Sequence, residues 1–246
     1  MHRFYYSSLD ENQNIIELTD EISFQIINVL RLRINEQFIL FNGSGYEAVF
    51  IILKKTKSIT CKFHSIISPI DEPSVKVRFI IGLCKPERFE LILQKCTELG
   101  AFDFTPVITE RVQGGENAYP SDKRLLRWRK IIKESAEQSG RTFIPKLNKP
   151  EILVESIQQK IKNDKVLCLW EDFEGYTINQ ALDELTNIKS LSVIIGPPGG
   201  FSKQEAENLK KLGVKLVSLG KRILRTETAA IAVMASIIYH YRDFRD

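Results

Sequence analysis

Two rhythms of apolar and polar residues divide the chain. Up to about residue 70, apolar positions come in short runs broken by turn-forming residues. Ile15 to Leu18 is a brief extended run, and Ile22, Ile26, Ile27 and Leu30 fall on one side of a short helix that Thr19 or Asp20 is placed to cap. Phe38-Ile39-Leu40-Phe41 leads into Asn42-Gly43-Ser44-Gly45 and out again through Tyr46 to Leu53, which predicts a hairpin. Lys54 to Ser58 make another turn and Ile59 to Ile67 another strand. Several strands at this spacing predict a small barrel.

Ser68-Pro69-Ile70-Asp71-Glu72-Pro73 interrupts the pattern twice with proline and reads as a linker. Beyond it strands alternate with helices. Val75 to Leu83 is a strand; Arg88 to Leu99 is a helix with Phe89, Ile92, Leu93 and Cys96 at helical spacing, closed by Gly100. Strands follow at Phe102 to Ile108, Val166 to Trp170, Leu191 to Ile195 and Lys215 to Leu219. Helices are predicted over Lys123 to Gln138, Ser202 to Leu212, with Ser202 and Glu205 at capping-box spacing, and Thr226 to Tyr239. The alternation predicts an α/β fold with a mainly parallel sheet over residues 74–246, preceded by a small β-barrel over residues 1–70.

Composition narrows the function classes. With 43% hydrophobic and 27% charged residues in 246, the chain has the make-up of a folded globular protein. The formal charge of +4 favours contact with phosphate only slightly. The apolar run Ala229 to Tyr239 is too short to span a bilayer, and the polar residues after Met1-His2-Arg3-Phe4-Tyr5-Tyr6 leave no signal-peptide core, so a cytoplasmic protein without a membrane partner is expected. Cys61, Cys84, Cys96 and Cys168 form no metal-ligand spacing, which points to reduced core thiols and no metal. The three histidines, His2, His64 and His240, adjoin no nucleophile motif, so chemistry is expected from a cofactor and from carboxylate and arginine groups.

In parallel sheets ligands collect where strands end at their carboxyl edge. Three such junctions are unusual here: Leu169-Trp170-Glu171, Gly196-Pro197-Pro198-Gly199-Gly200, and Leu219-Gly220-Lys221-Arg222-Ile223-Leu224. The glycine-proline loop has neither P-loop nor G-x-G-x-x-G spacing. Its two prolines remove N–H donors and stiffen it, which suits a wall beside a flat ring or a plain strand-to-helix turn. At the third junction Thr226 or Thr228 is a reasonable helix cap, and Glu227 in the first turn complements the helix dipole.

Motifs along nearly the whole chain resemble those of the RsmE family of bacterial 16S rRNA uridine-N3 methyltransferases, within the SPOUT class of trefoil-knotted enzymes. They are Arg3-Phe4-Tyr5, Val29-Leu30-Arg31, Leu40-Phe41-Asn42-Gly43, Gln94-Lys95-Cys96-Thr97-Glu98-Leu99-Gly100, Thr109-Glu110-Arg111, Glu137-Gln138-Ser139-Gly140-Arg141, Ile195-Gly196-Pro197 with Gly199-Gly200, and Ile223 to Ala229. The chain departs from the family at Pro198, where a glutamate is usual, and at Gln25, where a histidine is usual.

The resemblance implies a PUA-like RNA-binding barrel, a knotted methyltransferase domain, a homodimer and S-adenosylmethionine as cofactor. It implies a cofactor site at Leu169, Ile195, Gly196, Gly199, Gly200, Leu219, Gly220, Ile223, Leu224 and Thr226. Arg225 is expected to stabilise charge on the base or to orient a phosphate, with Glu227 or Glu98 as proton acceptor. Arg3, Arg31, Arg33, Lys85, Arg88, Arg111 and Arg141 are the expected RNA contacts. Rival readings are an RNA-binding protein without catalysis, and a related methyltransferase acting on tRNA or another rRNA site.

Overall fold

The hairpin expected around Asn42 is present, and its turn is held by the Asn42 side chain. In the computed structural model, which describes residues 1–68, 71–112, 119–162, 164–171 and 176–243, Asn42 Oδ1 accepts from the backbone N–H of Ser44 (2.9 Å) and of Tyr46 (3.2 Å). Gly43 sits at φ +78°, and a Cβ there would meet the Tyr5 ring at 2.9 Å, so glycine is required at this corner. The described residues fall into two units, Met1–Glu72 with Ala136–Ile144, and Pro73–Ser135 with Pro145–Asp246.

In the first unit β1 (Arg3–Tyr5), β2 (Ile15–Glu17), β3 (Gln37–Phe41), β4 (Glu47–Lys55) and β5 (Ile59–Ile66) form one sheet in the order β1-β3-β4-β5-β2. β1 runs parallel to β3, and the remaining pairs are antiparallel, with Phe38 opposite Phe50. A short helix α1 (Asp20–Phe24) runs on into a π-type turn, Gln25–Val29. Thr19 occupies the N-cap position of α1, but its side chain makes no capping bond. Phe38, Leu40, Phe50, Ile52, Ile59 and Ile26 are wholly buried in this unit's core. Residues Pro69 and Ile70 of the expected linker lie outside the described residues.

The segment Ala136–Ile144 belongs to this unit through hydrogen bonds and ion pairs. The Tyr5 N–H donates to Glu137 Oε1 (2.8 Å) and the Gly45 N–H to the Thr142 carbonyl (3.2 Å). The Arg141 guanidinium is paired with Glu72, while Arg3 pairs with Glu47 and donates to the Arg141 carbonyl (3.2 Å).

The second unit is an α/β layer structure. Its strands are β6 (Lys76–Gly82), β7 (Asp103–Ile108), β8 (Lys146–Leu147), β9 (Glu151–Ile152), β10 (Lys165–Leu169), β11 (Ser190–Ile195) and β12 (Lys215–Val217). They pair in the order β12-β10-β11-β6-β7-β8, with β9 also on β7, and each described pairing is parallel. Its helices are α2 (Pro86–Glu98), α3 (Asp122–Ser139, which passes into the first unit at Ala136), α4 (Leu153–Lys160), α5 (Ile178–Glu184), α6 (Lys203–Lys211) and α7 (Thr226–His240). β11 is buried from Leu191 to Ile195, as a strand covered on both faces must be. Pro86 starts α2, where its missing N–H costs nothing, and Gly100 at φ +99° follows its end. Trp128 of α3 stacks on Phe89 of α2 with centroids 4.2 Å apart.

Several sequence expectations shift. The short elements α4, α5, β8 and β9 fall where the pattern suggested none. The capping box of α6 is formed, with Ser202 Oγ accepting from the Glu205 N–H (3.0 Å) and Glu205 Oε2 from the Ser202 N–H (2.8 Å). For α7, neither Thr226 nor Thr228 is the cap. Arg225 occupies that position with extended backbone and makes no side-chain capping bond, and Thr226 is already inside the helix and buried. β12 stops at Val217, two residues short, because the Ser218 hydroxyl bonds the backbone of Gly220 and turns the chain.

Candidate active site

Strand order brings the carboxyl ends of β12, β10 and β11 side by side, so the three unusual junctions become neighbours. Together they enclose a cavity of about 220 Å³. Leu169, Trp170 and Glu171 line it after β10, Ile195 to Pro198 with Gly200 and Phe201 after β11, and residues from Ser218 through Ala229 after β12. Arg88 of α2 closes one side.

The glycine-proline loop is shaped by close approaches. The Gly200 N–H donates to the Pro197 carbonyl (2.8 Å), which closes a turn around Pro198-Gly199, and Gly200 takes φ +66°. At Gly82, the last residue of β6, an added Cβ would lie 2.6 Å from both the nitrogen and Cδ of Pro197. Only a bare backbone there lets the loop lie against the end of β6. The Phe201 ring stacks on Trp170 (centroids 6.3 Å, 17° between planes) and makes a flat wall. From outside, Arg111 Nη1 donates to the Gly199 carbonyl (2.9 Å), and the buried Glu205 carboxylate accepts from the Glu110 N–H (2.9 Å). Glu205 thus ties the loop after β7 to the start of α6.

Of the ten residues expected to hold a cofactor, Leu169, Ile195, Gly196, Gly200, Leu219, Gly220, Ile223, Leu224 and Thr226 line the cavity. Gly199 does not; it is exposed, and its carbonyl is taken by Arg111. Arg225 lines the cavity as well. Glu227 lies just behind, with Oε1 at 3.8 Å from Arg88 Nε and Oε2 buried without a hydrogen-bond partner. Glu98 is not brought to the cavity. It sits ten residues along α2 from Arg88, about 15 Å at the helical rise, and is bound by Lys95 (2.9 Å).

The basic residues expected at RNA separate in the same way. Arg88 is in the cavity wall, and Lys85 and Arg111 are exposed in the same unit. In the first unit Arg31 and Arg33 are exposed, Arg31 with left-handed backbone at φ +54°. Arg3 and Arg141 are largely buried and committed to the carboxylates of Glu47 and Glu72.

Cys84, between β6 and α2, is pushed up to about 12, chiefly by burial and further by Glu227, with Arg88 acting the other way. At neutral pH it is a thiol, not a nucleophilic thiolate. Among the described residues no group of three His, Cys, Asp or Glu is placed to hold a metal ion. Trp170, Glu171, Phe201, Ser218, Arg222 and Ala229 line the cavity but were not among the residues expected to hold a cofactor. The signal for Trp170 and Glu171 was present, since they complete the first unusual junction. Phe201 adjoins the glycine-proline loop, yet only the fold shows its ring turned onto Trp170.

Comparison with known proteins gives these features a family. Residues 71–238 match the model of an RNA methyltransferase domain, and residues 18–63 match that of an RNA methyltransferase PUA domain. The chain is 32% identical to the ribosomal RNA small subunit methyltransferase E of Mesomycoplasma hyopneumoniae, over 97% of this chain and 99% of that protein. It is 31% identical to the protein of the same name from Bacillus subtilis, over 93% of this chain and 91% of that one. The crystal structure of the Neisseria gonorrhoeae ribosomal RNA small subunit methyltransferase E bound to S-adenosyl methionine superposes with a TM-score of 0.87 at 29% identity, covering 97% of each chain. The chain that carries this glycine-walled cavity at three adjoining ends of a parallel sheet therefore belongs to the ribosomal RNA small subunit methyltransferase E family.

Proposed function

We propose that the chain transfers a methyl group from S-adenosylmethionine to N3 of a uridine in the 16S rRNA of the small ribosomal subunit. The observation that carries this reading is the cavity at the ends of β10, β11 and β12 in a chain of this family. Its residues fit the cofactor. Leu169, Ile195, Leu219 and Leu224 offer apolar faces to a purine, and the Glu171 carboxylate suits the cofactor's cationic groups. Gly196 keeps the wall thin, since a Cβ there would meet the Phe201 ring at 3.1 Å.

The bound cofactor supplies an electrophilic methyl group on a sulfonium. The chain's own residues position the uracil and handle its proton. Uridine N3 carries a proton that must leave as the new bond forms. Glu227 is the proposed acceptor: Arg88 orients one carboxylate oxygen, and the other has no hydrogen bond to give up. Glu98, with its carboxylate on Lys95 and far from the cavity, is the weaker choice. Arg225, at the cavity wall, stabilises the negative charge that spreads onto the uracil oxygens. Leu169, Ile195, Gly196, Gly200, Leu219, Gly220, Ile223, Leu224 and Thr226 form the proposed cofactor site. Arg31, Arg33, Lys85, Arg88 and Arg111 are the proposed RNA contacts, and Arg3 and Arg141 brace the unit that presents the first two.

Mass mapping of modified uridines in rRNA from cells with and without the gene is expected to show one N3-methyluridine of 16S rRNA lost with the gene. An unchanged map overturns the assignment. In purified protein, Arg225→Ala is expected to lower methyl transfer about 100-fold or more while S-adenosylmethionine affinity changes only a few-fold.

The same reading includes a homodimer, a trefoil knot through the three cavity loops, and a cytoplasmic location. Among the described residues no helix is long and apolar enough to cross a membrane. A dimer is supported by α7, which is apolar around its circumference. Val233, Met234 and Ile237 are buried, yet Ile231, Ala232 and Ala235 stay partly exposed and Tyr239 is 77% exposed. A helix apolar on all sides is normally covered on all sides. Light scattering is expected to give twice the 28.3 kDa chain mass, and the monomer mass counts against the dimer.

A further inference from the structure

We propose that the outward face of α3, carrying Lys123, Arg127 and Lys130, docks the phosphate backbone of the RNA substrate. The proposal rests on the rRNA reading above. These residues stand at positions i, i+4 and i+7, which share one face of a helix. The opposite face is buried through Trp128 and Ile132, while Lys123, Arg127 and Lys130 are exposed. Arg124 and Arg129 flank the stripe and are exposed as well.

Local physics opposes this arrangement. Lys123 and Arg124 lie in the first turn, where the helix dipole repels cations, and Asp122 offers a single compensating charge. Lys123 and Arg127, and Arg127 and Lys130, are like-charged pairs at the spacings where side chains meet. Among the described residues Lys123, Arg124 and Arg129 have no carboxylate partner, and Glu134 reaches Lys130 only at 3.7 Å. A helix that gathers cations at its wrong end, facing solvent, is the kind of local conflict that a polyanionic partner resolves.

One stripe residue is also positioned. Glu90 of α2 binds Arg127 through Nε (2.6 Å) and Nη2 (2.7 Å), which fixes the guanidinium and leaves Nη1 to donate outward. Glu90 is two residues from Arg88, which lines the cavity, so the stripe and the proposed reaction centre are joined through one helix. Exposed Leu126 borders the stripe and offers an apolar contact to ribose.

The test uses the full-length protein and a 16S rRNA transcript. In the triple variant Lys123→Gln, Arg127→Gln, Lys130→Gln, the slope of log Kd against log salt is expected to fall by about two to three. Affinity at moderate salt is expected to drop roughly 10- to 100-fold, with unchanged S-adenosylmethionine affinity and melting temperature. The double variant Lys123→Gln, Lys130→Gln leaves the Arg127–Glu90 pair intact and is expected to shift the slope by about one and a half to two. If the wild type binds the transcript and both variants bind it as tightly with the same slope, the stripe is overturned alone. If the wild type neither binds nor methylates rRNA, the functional reading falls and takes the stripe with it.

Discussion

Valine at position 82 is expected to abolish S-adenosylmethionine binding, with no heat detectable by titration calorimetry at concentrations that saturate the wild type. Gly82 ends β6, whose neighbour β11 runs directly into the glycine-proline loop. A Cβ there would lie 2.6 Å from the Pro197 nitrogen and Cδ and 3.1 Å from the Gly196 carbonyl carbon. None of these atoms belongs to the far end of a flexible side chain, so relief requires the loop itself to move by most of an ångström. The loop carries Gly196 to Gly200, and its displacement pulls Phe201 off Trp170. The overpacking cost to stability is about 1–3 kcal/mol, small enough for the fold to survive. Gly82→Ala is expected to fall between wild type and valine. Wild-type affinity in the valine variant would show that the loop is not the cofactor's wall.

The largest loss of stability is expected from Trp128→Ala, at roughly 3–5 kcal/mol. Trp128 is 1% exposed and stacks on Phe89 at 4.2 Å, joining α3 to α2. Its removal leaves a large void between two helices, and the lost contacts are not replaced by water. For a chain of this size each kcal/mol lowers the melting temperature by about 2–4 °C, so a drop of roughly 6–20 °C is expected by calorimetry. The indole Nε1 is buried without a hydrogen-bond partner, so Trp128→Phe forfeits area and no hydrogen bond. It is expected to cost about 1–2 kcal/mol, below the alanine loss. Equal losses in the two variants would mean that the stacking geometry is not what stabilises the pair.

What could be read from sequence was what local physics writes. The Asn42–Gly45 turn, the glycine end of α2 and the Ser202–Glu205 box all act within a few residues, and all are present, whereas the start of α2 at Pro86, two residues ahead of the expected Arg88, was not read. Other local signals went unread: Thr177 and Gln180 form a complete capping box for α5, but only seven helical residues follow. The three cavity loops were recognisable as strand ends, whereas the need for glycine at position 82 was not. It arises because strand order sets β6 beside β11, a pairing between residues over a hundred positions apart. Arg3 and Arg141 looked like surface cations because their partners, Glu47 and Glu72, lie 44 and 69 positions away. Arg225 as the N-cap of α7 was hidden for another reason. Hydroxyls nearby were better caps by propensity, but the extended backbone falls at Arg225 and the helix already includes Thr226.

The membership of Ala136–Ile144 in the first unit has a consequence for how the protein is born. A ribosome that has released only the five strands has not yet made the groups that meet Tyr5, Glu72 and Gly45. The nascent first unit must wait, with the Glu72 carboxylate lacking its arginine, while two strands, one whole helix and most of another emerge. Neither unit is therefore a contiguous stretch of the gene, and neither can finish folding in the order of its synthesis. Their maturation is coupled through the chain itself, so an error in α3 reaches the first unit as well as the second.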